Sequence, residues 1–245
     1  MNKPSGYIIY RGPSLIDNQP IVVVAITRES KNSKTGNMVQ TYILCDNGQL
    51  PVANYKSLAD RSICGDCPHR RGMGGACYVN VGQGPTIVSK GIARGIYPHN
   101  KYEASRACAG RAVRLGTYGD PAAVPGSVWN LLLLQSKSHT GYTHQWKDGN
   151  ADHVKQWCMA SADSVQDRSD AKASGWRTFR IRTNSEPLTS GEFVCPASTE
   201  GGYRKLCVEC TACSGGFNAR KGDPAIVVHG TLKSKFRNIP ISVAA

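Results

Sequence analysis

Seven of the ten cysteines in this 245-residue chain fall in two tight sets. The first runs Cys64-Gly-Asp-Cys67-Pro-His69 and ends at Cys77; the second joins Cys195 to the run Cys207-Val-Glu-Cys210-Thr-Ala-Cys213. Cys-x-x-Cys spacing puts two thiolates within reach of one metal ion, and a further Cys or His completes a tetrahedral site. A Cys-x-x-Cys-x-x-Cys run is equally typical of iron–sulfur ligation. Three readings stay open: metal or cluster ligation first, then disulfides, then redox dithiols. Disulfides suit exported proteins, and no apolar signal core follows Met1, so the expectation is a cytoplasmic chain. Cys45, Cys108 and Cys158 stand alone and read as small buried apolar residues.

Thirty Lys and Arg against seventeen Asp and Glu give a net charge of +13. That predicts an acidic partner, nucleic acid first, unless the charge is spread evenly for solubility. The basic residues group as Arg106, Arg111 and Arg114; Arg177, Arg180 and Arg182; Arg204 and Lys205; and Lys233, Lys235 and Arg237. No run of about 18 apolar residues exists, so no membrane span is expected. The length suits one large domain, or one domain with an appendage.

Residues 1–60 read as a small antiparallel sheet with strands near 6–10, 20–27 and 38–44, divided by Gly12-Pro13 and by the turn residues 34–37. Residues 60–90 read as a glycine-rich loop carrying the first cysteines, with few candidates for regular structure. From 110 the pattern changes to short apolar strands alternating with helical stretches. Strands are expected at 111–116, 140–146, 157–161, 175–181, 192–195 and 225–230, with helices near 125–136, 152–156 and 164–174. That rhythm argues for βα units and a parallel sheet. Six such strands suggest a barrel, complete or open, spanning 61–230, with a basic tail over 231–245. Chemistry in such barrels sits at the C-terminal strand ends. Here those ends carry Gly119 and Asp120, His144, Ser161 and Asp163, Arg182, Cys195 and His229.

Four segments carry a resemblance: Cys64-Gly-Asp-Cys67-Pro through Cys77-Tyr78-Val-Asn80; Arg114-Leu-Gly-Thr-Tyr-Gly119-Asp120-Pro; Thr140-Gly-Tyr-Thr-His144-Gln-Trp146; and Cys195-Pro-Ala-Ser with Cys207, Cys210 and Cys213. With these the chain resembles a family of bacteriophage proteins related to radical-SAM enzymes. The resemblance implies a partial (β/α)6 barrel with the small N-terminal sheet added to it. It implies one or two [4Fe–4S] clusters, the first on Cys64, Cys67 and Cys77 with one iron open to S-adenosylmethionine. Reductive cleavage of that sulfonium gives a 5′-deoxyadenosyl radical. The second cysteine set resembles auxiliary sites that hold a cluster or a zinc ion, here Cys195, Cys207, Cys210 and Cys213. The usual radical-SAM loop is Cys-x3-Cys-x2-Cys with an aromatic before the last cysteine; this chain has Cys-x2-Cys-x9-Cys with Tyr78 after it. Gly119-Asp120 stands where the family contacts the SAM amino group, although Gly-Asp-Pro is also ordinary turn chemistry.

Single residues keep two readings each. His69 is either a fourth ligand, as in a Cys3His zinc site, or a solvated loop histidine. Alternation places Tyr142, His144 and Trp146 on one face, which lines either a substrate cavity or a packed core. His144, Asp163, Arg182 and His229 are the catalytic candidates, and Tyr78, Gly119, Asp120 and Ser161 the cofactor-binding ones. Gly72, Gly74, Gly75, Gly82 and Gly84 lack the Walker pattern of a phosphate loop. The leading expectation is an iron–sulfur enzyme, phage-encoded and acting in the host cytoplasm on nucleic acid or a nucleotide-derived substrate. The alternative is a non-catalytic nucleic-acid-binding protein stabilised by zinc or a cluster.

Overall fold

The run Ile21-Val-Val-Val-Ala25 is apolar throughout, and a strand with no polar face belongs where both faces are covered. The computed structural model, which describes residues 3–29, 35–218 and 222–236, places it centrally. β2 (Pro20–Ile26) pairs antiparallel with β1 (Gly6–Pro13) on one side and β3 (Val39–Cys45) on the other. Residues 21–25 are essentially inaccessible.

A long crossover follows β3. It carries α1 (Pro51–Lys56), α2 (Arg61–Cys64), α3 (Gly84–Ala93) and α4 (Lys101–Ala107). The stretch expected to be mostly loop therefore contains a ten-residue helix. Its start is set by Pro85 in the first turn, a position where proline's missing N–H costs nothing. The start of α4 is fixed by Asn100, whose side chain accepts from the Glu103 amide at 3.0 Å.

β4 (Ala112–Tyr118) then returns parallel to β3. The first strands are thus not a separate sheet: they run on into the α/β part as one five-stranded sheet, β1-β2-β3-β4-β5. α5 (Gly126–Leu133) leads to β5 (Ser138–Thr140). A second five-stranded sheet has the order β6-β7-β8-β10-β9, all parallel, from β6 (Tyr142–Thr143), β7 (Met159–Ala162), β8 (Thr178–Arg182), β9 (Glu192–Val194) and β10 (Asp223–Val227). α6 (Val165–Ala173) links β7 to β8, and α7 (Cys207–Cys210) lies between β9 and β10. The protein is mixed α/β. The hydrogen-bonded order among the described residues leaves β1 and β5 as the edges of the first sheet and β6 and β9 as those of the second.

The single strand expected over 140–146 is in fact two short ones, divided at Gly141, where the chain passes from the first sheet to the second. The approach is close. A Cβ at Gly141 would stand 2.7 Å from Cys158 Sγ and 3.0 Å from the Trp157 carbonyl, so only glycine fits. β6 ends at Thr143, so the alternation expected through Trp146 stops there. Trp146 is buried with its indole N–H on the Ser161 carbonyl at 2.8 Å, while His144 faces the strand ends.

Helix α6 matches its sequence signals at both ends. Ser164 caps it through the Asp167 amide at 2.9 Å, and the chain turns away at Ser174. The second sheet is locked by buried charge. The Arg180 guanidinium, fully inaccessible, donates through Nε and Nη2 to Glu192 at 2.8 and 2.7 Å, and Glu192 is equally inaccessible. On β10, between β8 and β9, Asp223 accepts from Lys172 Nζ at 3.0 Å and from the Thr178 amide at 3.3 Å.

Burial raises the Glu192 carboxyl, but the Arg180 bonds outweigh it and hold it below the ordinary glutamate range. A depressed carboxylate stabilises the fold above the unfolded pKa, about 4.3, and that contribution is lost as pH falls through the lower folded value. Glu192→Gln should lower stability by about 3 kcal/mol, because it leaves Arg180 buried without its counter-charge. It should also flatten the acid limb of a melting-temperature profile. A variant that melts like the parent across that pH range contradicts the assigned role.

Candidate metal centre

Parallel pairing from β3 onward sends the strand ends to one edge, and the functional side chains gather there. The first cysteine loop reaches this edge through Arg70. Its buried guanidinium donates to Asp60 Oδ1 at 2.6 and 3.1 Å, to the Leu58 carbonyl at 2.8 Å and to the Gly65 carbonyl at 3.2 Å. Gln145, just beyond β6, clamps the same loop. Its Nε2 donates to the Cys64 carbonyl at 3.1 Å and its Oε1 accepts from the Asp66 amide at 3.3 Å. The nine residues between Cys67 and Cys77 fold back on themselves. The Gly75 amide donates to the Arg70 carbonyl at 3.0 Å and the Cys77 amide to the His69 carbonyl at 2.9 Å. A Cβ at Gly75 would stand 2.4 Å from the His69 carbonyl carbon, so this reversal requires glycine.

Folding back makes the wide spacing compatible with a common site. Burial raises the Cys64 thiol well above its ordinary value, and Cys67 and Cys77 raise it further. Burial likewise raises Cys77, with Cys67 adding to it. A bound cation would reverse the effect and favour the thiolates.

Beside them lie His144, which directly follows β6, and Asp163, which directly follows β7. His69 Nε2 is 2.9 Å from Asp163 Oδ1, and His144 Nε2 is 3.3 Å from Asp163 Oδ2. Burial opposes charge on His144, but Cys67 and Asp163 outweigh it and raise its pKa well above the usual value. Burial raises Asp163 too, yet the two imidazoles hold it well below the carboxylate range. Ser161 is buried and lines a small cavity with His144, Gln145 and Asp163.

The second set assembles from three places. Cys195 follows β9, with its amide on the Ala225 carbonyl at 2.8 Å. Cys207 and Cys210 form α7, which Thr211 ends in a left-handed conformation at φ 52°. Cys213 is pinned at the strand junction, its carbonyl accepting from the Gly141 amide at 3.1 Å. Burial raises the Cys213 thiol, the Tyr142 hydroxyl lowers it, and Cys195, Cys207 and Cys210 raise it again. All ten cysteines are free thiols, so the disulfide reading has no support in the fold. Cys108 and Cys158 are buried, as expected of apolar residues.

Arg114 lies between the two sets. It donates to the Tyr78 hydroxyl at 2.5 Å, and its guanidinium carbon is 6.0 Å from the Tyr142 ring centroid. Tyr78, Tyr142, Cys207 and Cys213 all favour its charged form. Arg114, Arg70 and Gln145 escaped sequence reasoning as site residues, whereas alternation already puts Tyr142 on the His144 face. Arg114 looked like one more basic residue, and nothing local marks Arg70 or Gln145.

The remaining candidates are distributed as follows. Asp120 is buried; its Oδ1 accepts from the Ala122 amide and its Oδ2 from the His144 amide, both at 2.9 Å. Gly119, at φ 83°, lies against β3, where a Cβ would stand 2.6 Å from Ile43 Cβ. Arg182 is paired with Glu200 and donates to the Glu186 carbonyl at 2.7 Å, so its bonds go to the segment after β8 and not to His144 or Asp163. His229 stacks on Tyr78 with ring centroids 5.4 Å apart. The arginine groupings are not one surface. Arg111 bonds the carbonyls of Thr27 and Asn37, Arg177 those of Ala212, Gly215 and Gly222, and Arg180 is buried. Lys233 and Lys235 are exposed, while Arg237 and the rest of the expected basic tail lie outside the described residues.

Among the described residues, the group of three ligand atoms within 4.8 Å of one another is His69, His144 and Asp163. The cysteine sulfurs do not converge that tightly. No helix is long and apolar enough to cross a membrane. No family model, curated protein or solved structure matches the chain.

Arg70→Gln should leave Asp60 buried without its partner and loosen the Cys64–Cys67 loop. We expect a loss of about 3 kcal/mol and faster alkylation of Cys64 and Cys67, resolved by mass mapping of the labelled thiols. Parental labelling rates in that variant count against the staple.

Proposed function

We infer that this chain is an iron–sulfur protein whose chemistry takes place at the C-terminal edge of its parallel strands, between the two cysteine sets. One observation carries this reading. Each cysteine set combines Cys-x-x-Cys spacing with thiols whose ionisation is opposed by others of the same set. The run Cys207-x-x-Cys210-x-x-Cys213 is a spacing typical of cluster ligation, and zinc, which thiolates also hold, is the alternative metal.

In this reading Cys64, Cys67 and Cys77 hold a [4Fe–4S] cluster with one iron not ligated by cysteine. Cys195, Cys207, Cys210 and Cys213 form a closed second site. Such a cluster, with one iron open, would supply the reducing electron for cleavage of the S-adenosylmethionine sulfonium. The chain's own residues do the rest. Arg70 and Gln145 hold the loop, and Tyr142 sets the position of Cys213. Arg114, held by Tyr78, receives an acidic group of the substrate between the two sites. The architecture that goes with this reading is a partial (β/α)6 barrel opened at β9, related to radical-SAM proteins of bacteriophages and working in the cytoplasm of the host. The net charge of +13 supports nucleic acid or a nucleotide-derived molecule as substrate.

Anaerobically prepared protein should contain roughly eight irons and eight acid-labile sulfides per chain. Replacing Cys64, Cys67 and Cys77 together by Ser should halve both, and Cys207→Ser with Cys210→Ser should remove the other half. Dithionite-reduced parent should release 5′-deoxyadenosine from S-adenosylmethionine, and the first variant should not. Colourless protein carrying zinc and no sulfide rejects the reading in favour of a zinc-stabilised binding protein.

The substrate assignment is tested separately. Binding to single-stranded oligonucleotides should weaken steeply between about 50 and 200 mM salt as counterions are released. Affinity that is absent at about 50 mM, or flat across that range, removes nucleic acid from the proposal.

A further inference from the structure

His69, His144 and Asp163 do something that neither a packed core nor a three-thiolate cluster requires. They come from three separate segments: the first cysteine loop, the residue after β6 and the residue after β7. Their side chains are 10, 19 and 7% exposed. Their ligand atoms all lie within 4.8 Å of one another. Yet His69 Nε2, His144 Nε2 and Asp163 Oδ1 have no hydrogen-bond partner, although the imidazole–carboxylate separations of 2.9 and 3.3 Å are short enough for one. The two imidazoles bear on one carboxylate as ion pairs without a well-directed hydrogen bond. Buried polar atoms are nearly always fully satisfied, and a cation held by all three would complete the arrangement.

We propose that His69, His144 and Asp163 form a mononuclear site for a divalent first-row transition metal, beside the thiols and separate from them. The spacing fits. Metal–nitrogen and metal–oxygen bonds of about 2.0–2.2 Å place neighbouring ligand atoms about 3.0–3.4 Å apart, and the observed separations are 2.9 and 3.3 Å. Two imidazoles and one carboxylate are borderline donors, suited to Fe2+, Zn2+ or Mn2+, and the trio leaves coordination positions open. Those positions face the small cavity of about 80 Å3 lined by Asp66, Gln145, Lys147 and Ser161, with room for a water-sized ligand.

The supporting contacts are those of a held site. The His144 amide donates to Asp120 Oδ2 at 2.9 Å, and the Asp163 amide to Asp167 Oδ2 at 3.1 Å. The His69 carbonyl accepts from Cys77, and its ring stacks on Phe236 with centroids 5.4 Å apart. His69 lies two residues after Cys67, which places the site next to the first cysteine set.

Cobalt(II) is the probe. Bound by thiolates it gives intense near-ultraviolet charge-transfer bands; bound by nitrogen and oxygen alone it gives only weak visible bands. Protein in which Cys64, Cys67 and Cys77 are all Ser should still take up one cobalt at this site, with the weak bands and no sulfur charge transfer. Adding Asp163→Asn, or separately His69→Gln, should weaken that uptake by roughly 10- to 100-fold, while circular dichroism and iron and sulfide at the second cysteine set stay unchanged. Two single substitutions on different loops guard against a folding failure in either one. Undiminished cobalt binding in both variants overturns the site, as does the absence of a sulfur-free cobalt spectrum in the Ser-substituted protein. The proposal does not rest on the iron–sulfur reading: loss of that reading would show as missing iron and sulfide, and the weak cobalt bands should then appear once Cys195, Cys207, Cys210 and Cys213 are also replaced by Ser.

Discussion

The buried carboxylate of Asp120 is the joint on which the site depends. It stands just beyond β4, the last long strand of the first sheet. Its Oδ2 accepts from the amide of His144, just beyond the first strand of the second sheet, and its Oδ1 closes the turn at Ala122. Its own amide donates to the Ile63 carbonyl at 2.6 Å, one residue before Cys64. One residue therefore ties the cysteine loop, the end of the first sheet and the start of the second. Burial raises its pKa, and the Ala122, His144 and Thr143 bonds work against that rise. A buried acceptor left without donors costs about 1–3 kcal/mol, so these contacts stand or fall together.

From that joint the two cysteine sets are positioned by opposite means. The first depends on side chains, through Arg70 and Gln145, because its loop has too few apolar residues to pack. The second depends on backbone approach. Gly141 and Gly215 allow the Cys213 segment to lie against Trp157 and Cys158, where a Cβ at Gly215 would stand 2.6 Å from the Cys158 amide nitrogen. Between the sets, Arg114 is a fixed positive charge facing thiols and phenols. Tyr78, Tyr142, Cys207 and Cys213 all favour its charged form.

The chain's positive charge divides in the fold. The arginines of β8 and its neighbours hold the second sheet and the cysteine loops through carbonyls and buried carboxylates, which uses the guanidinium's several donors in a way lysine cannot. Net charge remains a statement about long-range attraction of acidic partners. It did not identify which arginines would meet one, and Arg114 became visible only through its neighbours.

Sequence by itself determined the elements whose signals are local. An unbroken apolar run gave β2, a turn followed by β-branched and aromatic residues gave β3, and Ser164 to Ser174 gave α6 to within a residue at each end. Cys-x-x-Cys spacing marked the two thiol sets, and strand-end positions picked out His144, Asp163 and Asp120. Helices α3 and α4 were missed because glycines, proline and polar residues blur their periodicity. Tertiary structure decided everything that needs two distant segments to meet. It decided that Cys77 turns back to Cys67, that His69 faces His144 and Asp163, that Arg114 stands between the sets, and that the first strands continue the sheet through β3 and β4. Periodicity and spacing report on neighbours along the chain. Parallel register and the long crossover from β3 to β4 set which residues become neighbours in space, and those are fixed only when the two sheets form.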